Sequence, residues 1–255
     1  MNPAMKIIIL GCGTSTGVPK IGGKWGVCDP DNPKNRRRRS SIYVEEQDTK
    51  IIIDTTPDLR EQCLDANICR LDGVLYTHDH ADHTHGIDDL RAISHIMKSR
   101  LDAYGDAKTM AVLKRRFEYI FESRNGYPAI LNSHEITCDK FTIGSLPVQP
   151  FELIHGNMMT LGFRLNKMAY TTDLNAIPEK SERYLHGLDL WIVDALRPEP
   201  HATHSHLAQT LDWIEEFKPK RAILTHMTWD MDYETLKNTL PNHIEPAYDG
   251  MVIHI

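Results

Sequence analysis

Three histidines and two aspartates fall within His78-Asp79-His80-Ala81-Asp82-His83, directly after the apolar run Val74-Leu75-Tyr76. Imidazole nitrogen and carboxylate oxygen are donors that a borderline cation such as Zn²⁺ accepts. An extended segment sends alternate side chains to one side. His78, His80 and Asp82 can therefore point together while the stretch from Thr77 stays extended. His83 breaks that alternation, which suits a tight turn aiming it at a second ion beside the first. A solvated polar loop after a buried strand explains a lone histidine well and this cluster poorly.

One segment does not complete a hydrolytic centre, which needs further ligands and open positions for water and substrate. Other short apolar strands end in residues of the same kind: Asp54, His155, Asp173, Asp194 and His226. Each alone reads as an ordinary turn residue. Their recurrence on strand after strand implies that one sheet edge gathers them. On this reading His78, His80 and His155 hold one ion, while Asp82, His83 and His226 hold the other. Asp173, with two oxygens, bridges both, and a water or hydroxide takes the remaining bridge, its pKa lowered by two cations. Ligating histidines need partners on their other nitrogen; Asp54 and Asp79 are the candidates. His204 and His206 precede a helix that Ser205 can cap, with Leu207, Leu211 and Ile214 facing inward. One of these histidines is expected on the open side, to protonate a leaving group or hold a phosphoryl oxygen.

The elements that position these residues follow from periodicity. Lys6 to Leu10, Ile42 to Val44, Lys50 to Ile53, Gly73 to Tyr76, Val148 to Ile154, Thr160 to Leu165, Met168 to Thr171, Leu188 to Val193, Arg221 to Leu224 and Met251 to Ile255 read as strands. Helices are expected from Pro57 to about Ala66, at Ile87 to Ile93, over 109–122, after Pro178, after Ser205 and near Tyr233 to Leu240. The polar stretch from about 94 to 134 has no ligand pattern and is expected as a helical, lid-like insertion over the site. Arg36-Arg37-Arg38-Arg39 reads first as a solvated edge and second as a phosphate clamp. The Gly11-Cys12-Gly13 loop is not a P-loop, because no Gly-Lys-Ser/Thr closes it. Strand-rich halves with interspersed helices, without a linker or low-complexity tract, predict one domain of class α+β over 1–255: two packed mixed sheets with helices on the outer faces.

Composition narrows the partners. A net charge of −6 gives no general affinity for nucleic acid or anionic membrane, though it leaves room for a local phosphate site. No apolar run reaches the length of a membrane span. Met1-Asn2-Pro3-Ala4 looks like a short leader before Met5. Five cysteines without a close pair do not form a disulfide framework, so a reducing cytoplasm is the expected home. The expected partner is a small phosphate-ester or nucleotide-like substrate; a homodimer is compatible with the sequence.

The run at 78–83, followed in order by His155, Asp173 and His226, resembles the signature of the metallo-β-lactamase superfamily. The resemblance covers nearly the whole chain and implies an αββα sandwich with a dinuclear site on one edge. Gly11-Cys12-Gly13-Thr14, Thr16 to Pro19, Arg36 to Ser41, Thr172-Asp173, Leu224-Thr225-His226 and Tyr248-Asp249-Gly250-Met251 are similar to the cyclic-phosphate phosphodiesterases of phosphonate degradation, which act on 5-phosphoribosyl 1,2-cyclic phosphate. The resemblance implies that His204 is the acid or phosphate-contacting residue; His206, beside it, and Tyr248, in a matching stretch, are the candidate substrate contacts. Asp82 is carried over as a ligand at the reacting centre. Members of that branch hold a structural zinc with three early cysteines and a histidine after the second-metal ligand. Here only Cys28 remains and Trp229 stands at the histidine's place, so no structural zinc is expected, and Trp25 and Trp229 are expected to fill its volume. Flavodiiron relatives carry Glu where His80 stands, and tRNA 3′-processing relatives add a basic arm that this sequence lacks.

The function so implied is hydrolysis of a small cyclic or nucleotide-like phosphate ester by a metal-bridging hydroxide. Zn²⁺ and Mn²⁺ both suit the donors. The rivals are a lactonase or thioesterase with the same metals, a tRNA 3′-processing-type nuclease, and a non-catalytic nucleotide-binding relative.

Overall fold

The computed structural model describes residues 5–124 and 126–255. The leader expected at Met1-Asn2-Pro3-Ala4 lies outside the described residues. Six strands come first: β1 (Lys6–Gly11), β2 (Ser41–Glu46), β3 (Thr49–Ile53), β4 (Gly73–Leu75), β5 (Leu101–Gly105) and β6 (Leu131–Glu135). The next seven are β7 (Phe141–Ile143), β8 (Leu146–His155), β9 (Met158–Leu165), β10 (Met168–Thr171), β11 (Leu190–Asp194), β12 (Ala222–Thr225) and β13 (Ile244–Pro246). A last strand, β14 (Val252–His254), returns to pair with β1. They form two seven-stranded sheets, ordered β14-β1-β2-β3-β4-β5-β6 and β13-β12-β11-β10-β9-β8-β7.

Both sheets are mixed, as the sequence implied. In the first, β1, β2 and β3 run antiparallel, and β3 to β6 run parallel. In the second, β8, β9 and β10 run antiparallel, and β10 to β13 run parallel. Parallel neighbours need crossovers, and these carry the helices α1 (Leu59–Asp65), α2 (Ala81–Thr84), α3 (Leu90–Met97), α4 (Ala107–Arg116) and α5 (Glu118–Phe121) in the first half. The second half has α6 (Glu179–Glu182), α7 (Leu207–Phe217) and α8 (Tyr233–Thr239).

Side-chain alternation divides the interior. Ile7, Ile9, Ile51 and Ile53 join Phe163 and Tyr170 between the sheets, while Phe151 and Trp191, on the other face of the second sheet, meet Tyr184 and Phe217. Ile8, Leu10 and Ile52, one residue out of step, meet Leu59, Leu90, Ile93, Met110 and Leu113 beneath the outer helices. Each fully buried aliphatic side chain contributes about 1.5–3 kcal/mol, so a one-residue slip in β1 or β3 would exchange both faces at once.

Two expectations change. The 94–134 stretch is not wholly helical: β5 and β6 extend the first sheet, and only the end of α4 reaches the ligand cluster. The pattern Leu101-Asp102-Ala103-Tyr104-Gly105 alternates buried and half-buried positions, the period-2 signal of a strand. Only Arg36 of the Arg36–Arg39 run is a solvated edge. Arg37 is only 2% exposed, Arg38 pairs with Asp65 and Arg39 is bidentate on Asp58.

Candidate metal centre

The strand ends converge on one rim. Asp54 follows β3, His78 follows β4, Asp173 follows β10, Asp194 closes β11 and His226 follows β12. Asp54, Asp173 and His226 have φ values of 67°, 53° and 59°. Left-handed backbone is unusual outside glycine and costs of order 1–3 kcal/mol where the fold imposes it. Here it turns each side chain off the end of its strand into the common space. The extended stretch after Tyr76 ends sooner than alternation suggested: helix α2 begins at Ala81, with His80 as its N-cap. That turn puts Asp82 beside His83 rather than beside His78.

Asp173 is at the centre. Its Oδ2 lies 3.7 Å from His78 Nε2 and 3.8 Å from His155 Nε2. Its Oδ1 lies 3.1 Å from His83 Nε2 and 3.3 Å from His226 Nε2. One carboxylate thus offers one oxygen to each of two groups. The donor sets are His78, His80, His155 and Asp173 on one side and Asp82, His83 and His226 on the other. His80 is the exposed member; His78, His155 and Asp173 are buried. The geometry brings together all seven residues expected as ligands.

The tautomers are fixed from behind. His83 Nδ1 lies 2.7 Å from Asp54 Oδ2. His155 Nδ1 donates to Thr203 O at 2.6 Å. The Thr77 hydroxyl donates to Asp54 Oδ2, so the 3.0 Å contact between Thr77 Oγ1 and His78 Nδ1 has the imidazole as donor. Each ring with its proton on Nδ1 presents a lone pair on Nε2, the arrangement of metal-ligating histidines. Asp54 fills the supporting role expected of it. Asp79 does not: its side chain makes no hydrogen bond to an imidazole among the described residues, and its carbonyl accepts from Arg116. Asp194 is the other carboxylate behind the rim: its Oδ2 lies 3.0 Å from His204 Nδ1, while its Oδ1 lies 3.8 Å from His226 Nδ1, too far for a hydrogen bond. Its position at the end of a strand was the signal for it.

The buried atoms His78 Nε2, His83 Nε2 and His226 Nε2 have no hydrogen-bond partner. Buried polar atoms are rarely left so. Converging imidazole lone pairs beside carboxylates fit divalent cations and fit little else. The electrostatics agree. Burial alone would lower the His226 imidazole, yet Asp173, Asp82 and Asp194 raise it to about 9. Burial opposes charge on His83 too, and Asp173, Asp82 and Asp54 hold it well above the usual range. Burial would raise Asp173, but His226, His83 and His78 hold it well below a normal carboxyl. The field at this rim favours positive charge.

His204 is brought to the edge of the cluster, with Nε2 3.9 Å from Asp173 Oδ2. Its ring is stacked on His226 at 4.9 Å. His206 is not brought there; it is the N-cap of α7. Ser205 does not cap that helix, because its hydroxyl donates to Asp194 O inside the fold. Tyr248 lies against Tyr233 and Lys34, not against the cluster. Trp229 packs under Gly26, where a Cβ would lie 2.6 Å from the indole, with Lys20 Nζ 3.6 Å above the ring. Arg37 also lies beside Cys28, whose thiol donates to Trp229 O. Its guanidinium donates to Cys28 Sγ, Thr228 O and Met231 O.

A two-sheet sandwich with this cluster on its rim defines a hydrolase of the metallo-β-lactamase fold. The chain belongs to the beta-lactamase superfamily: the family model described as a beta-lactamase superfamily domain matches residues 49–227. A solved structure described as a new diphosphatase from the PhnP family is 37% identical, with a TM-score of 0.93 over 100% of this chain and 98% of that one. An octanoyltransferase of Porphyromonas gingivalis (strain ATCC BAA-308 / W83) is 33% identical over 253 residues, 97% of this chain and 51% of that protein. The chain thus spans about half the length of that curated relative. The short form of human tRNase Z shares the fold, at 18% identity and TM-score 0.72, over 97% of this chain and 98% of that one. Among the described residues no helix is long and apolar enough to cross a membrane.

Proposed function

We propose that this hydrolase is a metal-dependent phosphodiesterase acting on a small phosphate ester. The observation that carries the reading is the Asp173 carboxylate, with one oxygen toward each group of imidazoles. His78, His80, His155 and Asp173 would hold one divalent ion, and Asp82, His83, His226 and Asp173 a second. Zn²⁺ and Mn²⁺ both suit these donors. Two such ions, when bound, supply water activated near neutral pH and stabilise charge on phosphoryl oxygens.

The chain's own residues do the rest. Asp54, Thr77 and the Thr203 carbonyl hold three rings in the tautomer that leaves Nε2 open. Asp194 orients His204, whose Nε2 faces the cluster and is 12% exposed through its side chain. His204 is thereby suited to give a proton to a departing alkoxide or to hold a phosphoryl oxygen. The 37% identity to a PhnP-family diphosphatase supports phosphorus over carbonyl chemistry. The octanoyltransferase name belongs to a protein about twice as long. Five cysteines, an odd number without a close pair in the sequence, suit a cytoplasmic enzyme.

The test is a panel of phosphodiester, thioester and lactone substrates with protein of measured Zn²⁺ or Mn²⁺ content. Phosphodiester turnover should dominate. His204→Ala should lower it by about 10²–10⁴-fold while metal content stays that of the wild type. Dominant thioester or lactone turnover would overturn the reading. Tight nucleotide binding without turnover in fully metallated protein would favour a binding module.

A further inference from the structure

A cavity of about 460 Å³ adjoins the exposed side of the ligand cluster, lined by His80, Ala81, His85, Arg116 and Phe117. His80 belongs to both, so anything seated in this cavity lies against the cluster. The Arg116 guanidinium donates to Asp79 O at 2.6 Å, which anchors it one residue from His80. That is its one hydrogen bond among the described residues, and the rest of its donor fork is open to an anion. The half-buried Phe117 meets His85 edge-on, with ring centres 5.5 Å apart. Arg116 is the basic residue of the α4 end that lines the cavity; Lys114 pairs with Glu135.

An anchored guanidinium, an aromatic ring and mostly apolar walls match a ligand that is flat and apolar at one end and anionic at the other. The volume falls within the roughly 300–1,000 Å³ of small-ligand sites. We propose that this cavity binds the nucleoside of the substrate, its base on Phe117 and its phosphate within reach of Arg116. The inference rests on the phosphodiesterase reading and narrows it. The substrate is a nucleoside phosphate ester, and a small phosphodiester without a base is a poor one. Phe117 and Arg116 set specificity and take no part in bond breaking. Stacking of one base on an aromatic side chain is worth roughly 5–150-fold in affinity.

The experiment compares two esters with one leaving group, thymidine 5′-(4-nitrophenyl phosphate) and methyl 4-nitrophenyl phosphate, on Mn²⁺-loaded enzyme. The wild type should favour the thymidine ester by about tenfold or more in kcat/KM. Phe117 also packs on the outer core, so Phe117→Leu is used to keep apolar volume while removing the ring. Phe117→Leu and the surface change Arg116→Ala should each shrink that ratio through KM, and Phe117→Tyr should keep it. A wild-type ratio near one, or a ratio that survives both changes, would overturn the assignment. If neither ester were cleaved, the phosphodiesterase reading would fall first. Calorimetric binding of thymidine 5′-monophosphate then decides: weaker binding by Phe117→Leu supports the cavity, and equal binding overturns it.

Discussion

The two sheets are built on one plan and serve the rim differently. In each, three antiparallel strands lead into parallel ones: β1, β2, β3, then β4; and β8, β9, β10, then β11. Asp54 and Asp173 follow the corresponding strands β3 and β10, both in left-handed backbone. Asp54 faces its own half and accepts from Thr77 and His83. Asp173 faces across the rim to imidazoles of both halves. After β4 the chain delivers four donors within six residues, whereas the end of β11 delivers Asp194, which orients His204. The first half therefore builds a preformed comb of donors, and the second half pins that comb down with single residues. A site made this way needs the sheets in register with each other, and the inter-sheet core supplies that register.

This contrast can be broken by substitution. The largest effect should come from Asp173→Asn, which weakens both donor sets at once. It should lower metal stoichiometry and cut turnover beyond the ~10–100-fold typical of outer-sphere changes. Elemental analysis with activity assays checks it, and a variant that retained both ions would refute the central role of this residue. Next are the two supporting carboxylates. Asp54→Ala should weaken metal binding about 10–100-fold and lower Tm as well, since it leaves His83 and Thr77 unpaired in the interior. Asp194→Ala should weaken it less, because its contact with His226 is 3.8 Å. Equal affinities in a calorimetric comparison would erase the distinction between the halves.

Arg37→Met should cost about 1–3 kcal/mol in denaturant unfolding by leaving Thr228 O and Met231 O without their donor. A change within experimental error would mean that water replaces the guanidinium. The smallest effect is expected at Asp79→Ala, whose carboxylate touches no imidazole. Metal affinity should stay within about twofold, inside the ±0.5 kcal/mol of ordinary surface changes.

The same contrast explains what could be read from the chain. His78 to His83 is legible because its donors are contiguous. His155, Asp173 and His226 are legible because each ends an apolar run, and an ordered sandwich aligns strand ends. Asp79 misled because adjacency in sequence does not ensure contact: its carbonyl accepts from Arg116, and its carboxylate makes no hydrogen bond to an imidazole among the described residues. Asp194 was visible as a strand end, but its work behind His204 depends on the loop that brings 204 back over β11. The strands β5 and β6 were hidden in a polar stretch because their outer positions are half exposed. Arg37 was unreadable, since nothing in four successive arginines says which one turns inward. Tyr248 was carried by likeness of motif and His206 by its place just before a helix; Tyr248 packs on Tyr233, and His206 is the N-cap of α7.

Arg37 clasps the segment after His226 to the early loop through a charge that is part of the polypeptide. A guanidinium cannot be deprotonated at workable pH, and no chelator removes it. Treatment with a strong chelator should therefore strip the rim while this clasp keeps the strap carrying His226 in place. Reloading would then be a binding event with simple stoichiometry, needing no refolding of the strap.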